Sequence, residues 1–345
     1  MSSTTDRATN RRLLMVRRPV GMVQDTDFEL RESPVPEPGP GEFLVRTIYL
    51  SMVPAMRSWM RDRASYVAPM QLGDLMRASG AGVVVVSNHP DYKPGDLVRG
   101  QFGWQDYVLT DGRGEHHMEP APAGVPLATA LSVLETTGLT AYFGLFDIGR
   151  PMAGDTVVVS GAAGGVGMVA GQLAWIAGCR AVGIAGSAEK CAWLVNELGF
   201  DAAINYRTEH VSQRLKATCP DGIDVFFDNV GGQILDAALM GLAMRARVVL
   251  CGAVSVLNAT ERQPGPSHLI EVIVRRARME GFILTDYRDR FPEAMARMTR
   301  WLHDGRLKTR EDIVEGLEHA PAALRSLFEG GNTGKLLLKV SDEPA

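Results

Sequence analysis

Short apolar stretches separated by turn residues fill the first 130 positions, a pattern typical of an all-β region. Residues 43–50 predict one strand, and residues 80–86 and 96–98 predict two more. The proline-rich stretch 33–41 predicts a surface connection, because proline removes a donor of the β ladder. The economical interpretation of this region is a small β-barrel.

After Pro126 the pattern changes, and helical periodicities alternate with short strand-like runs. Helices are predicted at 127–134, 139–146 and 291–303. Such alternation indicates βαβ units around a parallel sheet. Six strands are predicted, enough for a complete dinucleotide-binding fold. They cover residues 156–160, 180–184, 202–205, 225–228, 247–251 and 279–283.

Chain length and these patterns together predict an α/β protein of two domains. A chain of 345 residues exceeds the size at which one hydrophobic core keeps growing. The first domain is expected at 1–131 and the dinucleotide-binding domain at 132–305. The last segment, 306–345, ends in the β-like run 334–340 and is expected to return to the first domain.

Composition and charge narrow the class of ligand. The formal net charge is −4, so no basic excess marks a nucleic-acid or membrane partner, and a small molecule is expected. Four scattered cysteines without a CxxC pair fit neither a disulfide framework nor a zinc lobe. No apolar run reaches the roughly 18 residues of a membrane span, and the start lacks a signal-peptide pattern. We expect a protein of the cytoplasm.

The strongest motif is the turn Ala162-x-Gly164-x-x-Gly167, between a predicted strand and a predicted helix at 166–177. Gly164 lets the backbone approach a pyrophosphate, and Gly167 lets the helix pack on the strand. The helix N-terminus offers N–H groups to the anion. The first glycine of the pattern is Ala162 here, a substitution that some dinucleotide enzymes tolerate. The alternative interpretation is a tight turn without a ligand.

The end of the second strand indicates which dinucleotide binds. An NAD enzyme places an acidic side chain there for the ribose 2′-hydroxyl, whereas residues 185–188 here are small. They leave room for a 2′-phosphate, and Lys190 supplies a positive charge. NADP(H) is therefore favoured. In the alternative, Glu189 binds the ribose and Lys190 is a solvated charge.

Several segments, taken in order, resemble one known family. They are residues 50–57, 103–107, 138–145, 160–167, 228–232, 251–253, 278–282 and 331–335. The chain is similar to the medium-chain dehydrogenase/reductase superfamily, in its branch of leukotriene B4 dehydrogenase/prostaglandin reductases, plant double-bond reductases and bacterial curcumin reductases. The resemblance implies a GroES-like β-barrel catalytic domain, formed by both chain ends around an inserted Rossmann domain, in a homodimer.

The resemblance also implies site residues for NADP(H). The pyrophosphate would lie on Gly164, Gly165, Val166 and Gly167, and the 2′-phosphate between Lys190 and Tyr206. Asn229 would lie over the ribose side, and Asn332 would close over the cofactor. The nicotinamide end would be lined by Cys251, Gly252, Ala253, Val254, Ser255, Val256, Leu257, Phe282, Ile283 and Leu284. For Asn229 and Asn332, local turn formation is the alternative role.

No zinc site is expected, since zinc takes Cys and His ligands and no cysteine precedes residue 179. The resemblance then implies hydride transfer from NADPH to the β-carbon of an α,β-unsaturated ketone or aldehyde. The oxygen that gains charge needs a hydrogen-bond donor. Many relatives carry a pocket tyrosine where this chain has Ala55. The remaining candidates are Tyr287, which we favour, and Tyr66; packing is the alternative role of a tyrosine.

Two other functions fit the same sequence. One is an NADPH quinone oxidoreductase of the same superfamily, which also lacks zinc. The other is a non-catalytic NADPH-binding protein, a possibility motivated by the missing tyrosine at Ala55.

Overall fold

The structure is a computed structural model that describes residues 9–63 and 65–344. The described residues form two compact units. The first comprises the described residues up to Leu131, Asp312–Glu329 and residues 336–344, and the second comprises Ser132–Glu311 and Gly330–Lys335. Residues 1–8, on which the expectation about the chain start falls, lie outside the described part.

The first unit is built mainly from short antiparallel strands. They are β1 (Thr9–Met15), β2 (Phe28–Pro34), β3 (Phe43–Ser51), β4 (Ser79–Ser87), β5 (Leu97–Gln101), β6 (Tyr107–Thr110) and β7 (Met118–Pro120). Its first two helices are α1 (Ala55–Trp59) and α2 (Leu127–Val133). Strands β1 and β2 form a two-stranded sheet. The core of the first unit is apolar and contains Phe43, Phe102 and Trp104, each fully buried.

The second unit alternates strands and helices. The strands are β8 (Thr156–Ser160), β9 (Arg180–Ala185), β10 (Ala202–Asn205), β11 (Ile223–Asp228), β12 (Leu242–Leu250) and β13 (Arg278–Gly281). The helices are α3 (Thr136–Phe143), α4 (Gly165–Ile176), α5 (Ala188–Asn196), α6 (Val211–Thr218), α7 (Gly232–Leu239), α8 (Ile270–Val274) and α9 (Phe291–His303). Strand β14 (Glu311–Glu315), helix α10 (Ala320–Glu329) and strand β15 (Lys335–Lys339) follow.

Strand β15 joins the main sheet of the first unit. This seven-stranded sheet has the order β14-β15-β3-β4-β5-β7, with β6 paired to β3. Strands β15 and β3 pair antiparallel, with Leu338 opposite Leu50. The side chains of Leu336, Leu337 and Leu338 are buried there. Their apolar character is what predicts a strand in this part of the sequence.

The sheet of the second unit is parallel and has the order β10-β9-β8-β11-β12-β13. The chain runs outward from β8 to β10 and then crosses back to β11 beside β8. Their carboxyl ends therefore form a topological switch point, where open α/β sheets bind ligands. The expected fold class, a Rossmann sheet combined with a separate sheet domain, is confirmed.

Several element bounds differ from those expected. Strand β12 begins at Leu242, five residues before the expected start, and passes through Arg245 with φ 62°. Strand β13 ends at Gly281, two residues before the expected end. Helix α3 ends at Phe143, and one π-helical segment, Gly144–Gly149, continues it.

The segment 330–335 lies with the second unit, although the sequence predicts that the chain has already returned to the first domain. The N–H of Gly334 donates to the Ala163 carbonyl at 2.7 Å, and that of Lys335 donates to Arg310 at 2.9 Å. Residues 306–311 are held likewise, since Lys308 and Gln172 of α4 exchange hydrogen bonds. Periodicity carries no signal for such contacts. Within the described residues, no helix has the length and hydropathy of a membrane span.

Candidate functional site

The buried carboxylate of Asp228 organises the switch point. It lies at the end of β11 and accepts a hydrogen bond from Ser160 Oγ, at the end of β8, at 2.7 Å. It also accepts from the N–H groups of Val230 and Gly231 at 3.0 Å. Burial raises the pKa of this carboxyl, and these hydrogen bonds oppose that rise. The loops after two adjacent strands are thus tied to one side chain.

The predicted glycine turn lies directly after β8. Gly164 is the N-cap of α4, a helix of 12 residues without an acidic side chain in its first turn. A Cβ added at Gly167 would lie 2.3 Å from the Gly161 carbonyl oxygen, so only glycine allows this close contact of helix and turn. An uncapped helix N-terminus without a competing carboxylate suits the pyrophosphate of a dinucleotide.

Lys190 lies at the start of α5, after β9. Its backbone N–H donates to the N-cap hydroxyl of Ser187, and its Nζ donates to the Gly330 carbonyl at 2.7 Å. Its neighbour Glu189 is fully exposed. A backbone hydrogen bond at the helix start and one from Ser187 lower the pKa of the Glu189 carboxyl.

Tyr206 follows β10, and its ring packs on the turn after β9. A Cβ added at Gly186 would lie 3.0 Å from its ring. The structure therefore brings Lys190 and Tyr206 to the ends of two adjacent strands. A lysine, a phenol and a helix N-terminus form a donor set that fits an adenosine 2′-phosphate.

The loops after β11 and β12 are bound to each other. Cys251 and Gly252 donate backbone N–H groups to the Asp228 carbonyl, at 2.9 and 3.0 Å. Ser255 Oγ donates to the Val230 carbonyl at 2.6 Å. Desolvation, with Asp228 nearby, raises the pKa of the Cys251 thiol to about 12, which keeps it protonated. The predicted nicotinamide segment 251–257 is thus anchored to the switch point.

Both predicted asparagines make local hydrogen bonds. Nδ2 of Asn229 donates to the Ser160 carbonyl, and Nδ2 of Asn332 donates to the Gly334 carbonyl, each at 2.7 Å. The Asn332 contact is the turn formation that the sequence offers as the alternative role. Each amide group also has a second N–H and an oxygen. These contacts orient the two side chains and leave their roles toward a cofactor as predictions.

Tyr287 lies after β13 and is half-buried. Its ring stacks on Phe143 at 4.7 Å between centroids and meets Phe282 edge-on at 6.3 Å. Burial and the nearby carboxylates of Asp147 and Glu280 raise the pKa of its hydroxyl. The stacking on Phe143 fits a packing role for Tyr287. The contact with Phe282, which belongs to the predicted nicotinamide end, fits a role for Tyr287 beside nicotinamide.

The ring of Phe282 packs against Gly144, the first residue of the π-helical segment. A Cβ added at Gly144 would lie 2.7 Å from the Phe282 ring and 2.8 Å from that of Phe227. The other tyrosine candidate, Tyr66, belongs to the first unit. It is exposed, and its hydroxyl accepts a hydrogen bond from Trp59 Nε1 at 3.0 Å.

Two basic residues near this site have no role in the sequence analysis. Arg207 directly follows Tyr206, a position that could have drawn attention. Lys335 is only 2 % exposed, and its Cδ would lie 3.3 Å from a Cβ added at Gly165 of the turn. Its burial depends on the docking of 330–335, for which the sequence carries no signal.

Within the described residues, no three His, Cys, Asp or Glu side chains form a group suited to a metal ion. All four cysteines lie in the second unit and form no disulfide. The absence of zinc stays a prediction. A parallel sheet with a glycine turn, a helix N-terminus and a cation at its switch point defines the class of the chain, a dinucleotide-binding α/β protein.

Comparison with known proteins identifies the family within that class. Residues 11–118 match a family model described as the N-terminal domain of oxidoreductase, and residues 165–300 match one described as zinc-binding dehydrogenase. The chain is 41 % identical to the NADPH-dependent curcumin reductase of Escherichia coli, over 97 % of this chain and 98 % of that protein.

Two further relatives agree. The chain is 37 % identical to the 2-alkenal reductase (NADP(+)-dependent) of Nicotiana tabacum, over 98 % of this chain and 99 % of that protein. The structure of CurA from Vibrio vulnificus in complex with NADPH matches with a TM-score of 0.91 at 39 % identity, over 96 % of this chain and 100 % of that one.

The chain belongs to the medium-chain dehydrogenase/reductase superfamily, in the branch of the curcumin, alkenal and prostaglandin reductases. It is an NADP(H)-dependent oxidoreductase. The resemblance and the cofactor expected from the sequence are thereby confirmed.

The buried Lys335 generates a prediction about pH. Burial lowers the pKa of its ammonium from 10.5 to about 8, with Glu135 acting in the opposite direction. Between these two values the unfolded chain holds a proton that the folded protein has lost, so stability at this position rises with pH. Below about pH 8 the buried charge opposes folding by about 3 kcal/mol.

We therefore expect Lys335→Met to raise the thermal unfolding temperature at pH 7 and to lose most of that gain by pH 10.5. Unfolding would be followed by circular dichroism across this pH range. Lys216→Met, at an exposed position of α6, is the control and should show no such change. An equal effect of Lys335→Met on the unfolding temperature at both pH values would contradict the lowered pKa of Lys335.

Proposed function

We propose that this oxidoreductase reduces the C=C bond of α,β-unsaturated ketones and aldehydes. The observation that carries the proposal is the full-length similarity to reductases named for curcumin and 2-alkenals. Bound NADPH would supply the hydride, which adds to the β-carbon of the substrate. The protein must then stabilise negative charge on the substrate oxygen and deliver a proton to the α-carbon.

The cofactor would be held along the switch-point edge. We assign the pyrophosphate to the turn Gly164–Gly167 and the 2′-phosphate to Lys190 and Tyr206. Asn229 would lie over the ribose side, and Asn332 would close over the cofactor. The hydrogen bonds from Val230, Gly231, Cys251 and Gly252 to Asp228, together with the bond from Ser255 to Val230, support a preformed nicotinamide face. The four free cysteines fit a reducing compartment such as the cytoplasm, which cell fractionation would test.

A substrate panel tests the proposed reaction. Purified protein would receive NADPH with an enone, an enal or a quinone, and NADPH absorbance would be followed. We expect enone-dependent oxidation and a saturated ketone that carries deuterium at the β-carbon when 4-deuterated NADPH is used. Metal analysis of the same sample should show well below one zinc per chain.

Two outcomes would replace this function with another. Turnover of quinones alone, with hydroquinone or semiquinone as product, would make the protein a quinone oxidoreductase. Binding of NADPH without oxidation by any compound of the panel would make it a non-catalytic NADPH-binding protein.

Tyr287 is our proposed donor to the substrate oxygen or the α-carbon. Its raised pKa keeps the hydroxyl protonated at neutral pH, as a donor requires. We expect Tyr287→Phe to lower the enone reduction rate by about tenfold to a thousandfold and to leave the NADPH Kd unchanged, the pattern of a transition-state contact.

Two variants should be measured beside it. Tyr142→Phe removes a neighbouring hydroxyl that accepts from Arg297 and is the control for packing. Tyr66→Phe tests the first-unit candidate. A Tyr287→Phe rate within about twofold of wild type would reject the proposed role, and a loss in Tyr66→Phe alone would transfer it.

We also propose that the protein is a homodimer through the β13 edge of the Rossmann sheet. Strand β13 pairs with β12, and no strand of the described residues pairs with its other edge. Helix α8, which precedes this strand, exposes Ile270 and Ile273, at 58 % and 73 %. An open edge beside exposed apolar side chains is a typical site of association.

Light scattering after size exclusion should give twice the 37.4 kDa chain mass. We expect Ile273→Glu to shift the protein toward the single-chain mass, because it places a charge in the apolar contact. Met152→Glu changes another exposed apolar side chain of the same unit and should leave the mass unchanged. A wild-type protein of single-chain mass at micromolar concentration would disprove the dimer.

A further inference from the structure

Two cationic side chains converge on Gly330 from adjacent strands of the Rossmann sheet. The Lys190 ammonium, after β9, donates to the Gly330 carbonyl at 2.7 Å. Nη2 of Arg207, after β10, would lie 3.4 Å from a Cβ added at the same glycine. Both positive charges thus lie beside one residue, at the strand ends where a Rossmann fold holds the adenosine ribose.

The turn that carries Arg207 is fixed to the end of β9. The N–H of Tyr206 donates to the Ala185 carbonyl at 3.0 Å. The N–H of Arg207 donates to Asn205 Oδ1 at 3.1 Å, and that of Asn205 donates to Glu209 Oε2 at 2.7 Å. The direction in which the Arg207 side chain leaves the backbone is therefore set by the fold.

A ribose 2′-phosphate carries a charge near −2 and three acceptor oxygens, which a single ammonium only partly balances. A guanidinium presents its donors in a planar fork that matches phosphate oxygens two at a time. Arg207 is exposed, and its Cζ lies 5.9 Å from the centroid of the Tyr206 ring. Its guanidinium therefore lies at the surface, close to the ring beside which the phosphate is placed.

We propose that Arg207 is a specificity-determining residue that binds the 2′-phosphate of NADPH together with Lys190. This inference rests on the proposed placement of that phosphate at Lys190 and Tyr206. Arg207 distinguishes NADPH from NADH, while Tyr206 supplies the surface on which its guanidinium lies. In a purely structural role, Arg207 would stack on Tyr206 and would affect both dinucleotides equally.

The test is a comparison of dissociation constants measured by isothermal titration calorimetry. Wild type, Arg207→Ala, Arg207→Lys and Lys190→Ala would each be titrated with NADP⁺, NAD⁺ and adenosine 2′,5′-bisphosphate. For Arg207→Ala we expect the Kd of both 2′-phosphorylated ligands to rise about fivefold to twentyfold, the effect of one partly solvated charge-assisted contact. The Kd of NAD⁺ should stay within about twofold, and Arg207→Lys should restore part of the loss.

Arg180→Ala is the matched control for loss of a surface charge. Arg180 begins β9 at the opposite end of the sheet and pairs with Asp201 at 3.9 Å. Its removal should leave all three Kd values unchanged. An equal loss for NADP⁺ and NAD⁺ in Arg207→Ala would overturn the inference in favour of a structural role.

Lys190→Ala separates this inference from the proposed function. If Lys190→Ala weakens NADP⁺ selectively and Arg207→Ala does not, the 2′-phosphate site stands and the role of Arg207 is rejected. If neither variant changes the preference for NADP⁺, the placement of the phosphate at Lys190 and Tyr206 is wrong and the role of Arg207 falls with it, whereas the proposed C=C reduction is judged by the substrate panel.

Discussion

The hydrogen bond between the Ser160 hydroxyl and the Asp228 carboxylate joins the two strands where the order of the Rossmann sheet reverses. Both side chains are fully buried, so neither group can exchange its partner for water. The Asp228 carboxylate also accepts hydrogen bonds from the N–H groups of Val230 and Gly231. The Asp228 backbone carbonyl accepts hydrogen bonds from the N–H groups of Cys251 and Gly252. The loops after β8, β11 and β12 therefore share one anchor.

Burial of the Asp228 carboxylate costs free energy, and nearby hydrogen-bond donors offset that cost. A buried carboxylate without donors would be protonated or expelled, and burial indeed raises the pKa of Asp228. The backbone N–H groups of Val230 and Gly231 and the hydroxyl of Ser160 stabilise its charge. Gly231 and Gly232 have φ of 73° and 57°, which lets the backbone turn its N–H groups inward. The glycines after Asn229 are thus part of the same electrostatic arrangement.

Local charge, not net charge, decides what this edge of the sheet can bind. The chain has a formal net charge of −4, yet Lys190, Arg207 and Lys335 all lie beside the glycine turn or the adjacent strand ends. The helix N-terminus at Gly164 adds partial positive charge. A small anionic ligand responds to this local field, whereas a nucleic acid would respond to an extended basic surface.

The sequence predicted well what depends on local pattern. The six Rossmann strands follow from short apolar runs between helical stretches. For three of them, β8, β9 and β10, the observed bounds differ from the predicted ones by at most one residue at either end. The family resemblance assigns Lys190 and Tyr206 to the 2′-phosphate, and the structure has Lys190 after β9 and Tyr206 after β10, while their role toward the phosphate stays a prediction. Lys335 could not be assigned, since its burial results from the docking of 330–335 against Ala163 and Arg310. The proton donor could not be fixed either, because a tyrosine that packs and one that donates have the same sequence signature.

The departure at Ala162 shows how a pattern position and a physical requirement can differ. The residue of this turn with φ in the left-handed region is Gly161, at 58°, so the glycine that the backbone needs is present one position earlier. Ala162 is fully buried, and its methyl group would lie 3.0 Å from a Cβ added at Gly183 of β9. The missing side chain at Gly183 therefore makes room for the added one at Ala162. Close packing limits the total side-chain volume between the turn and β9, and Ala162 and Gly183 together stay within that limit.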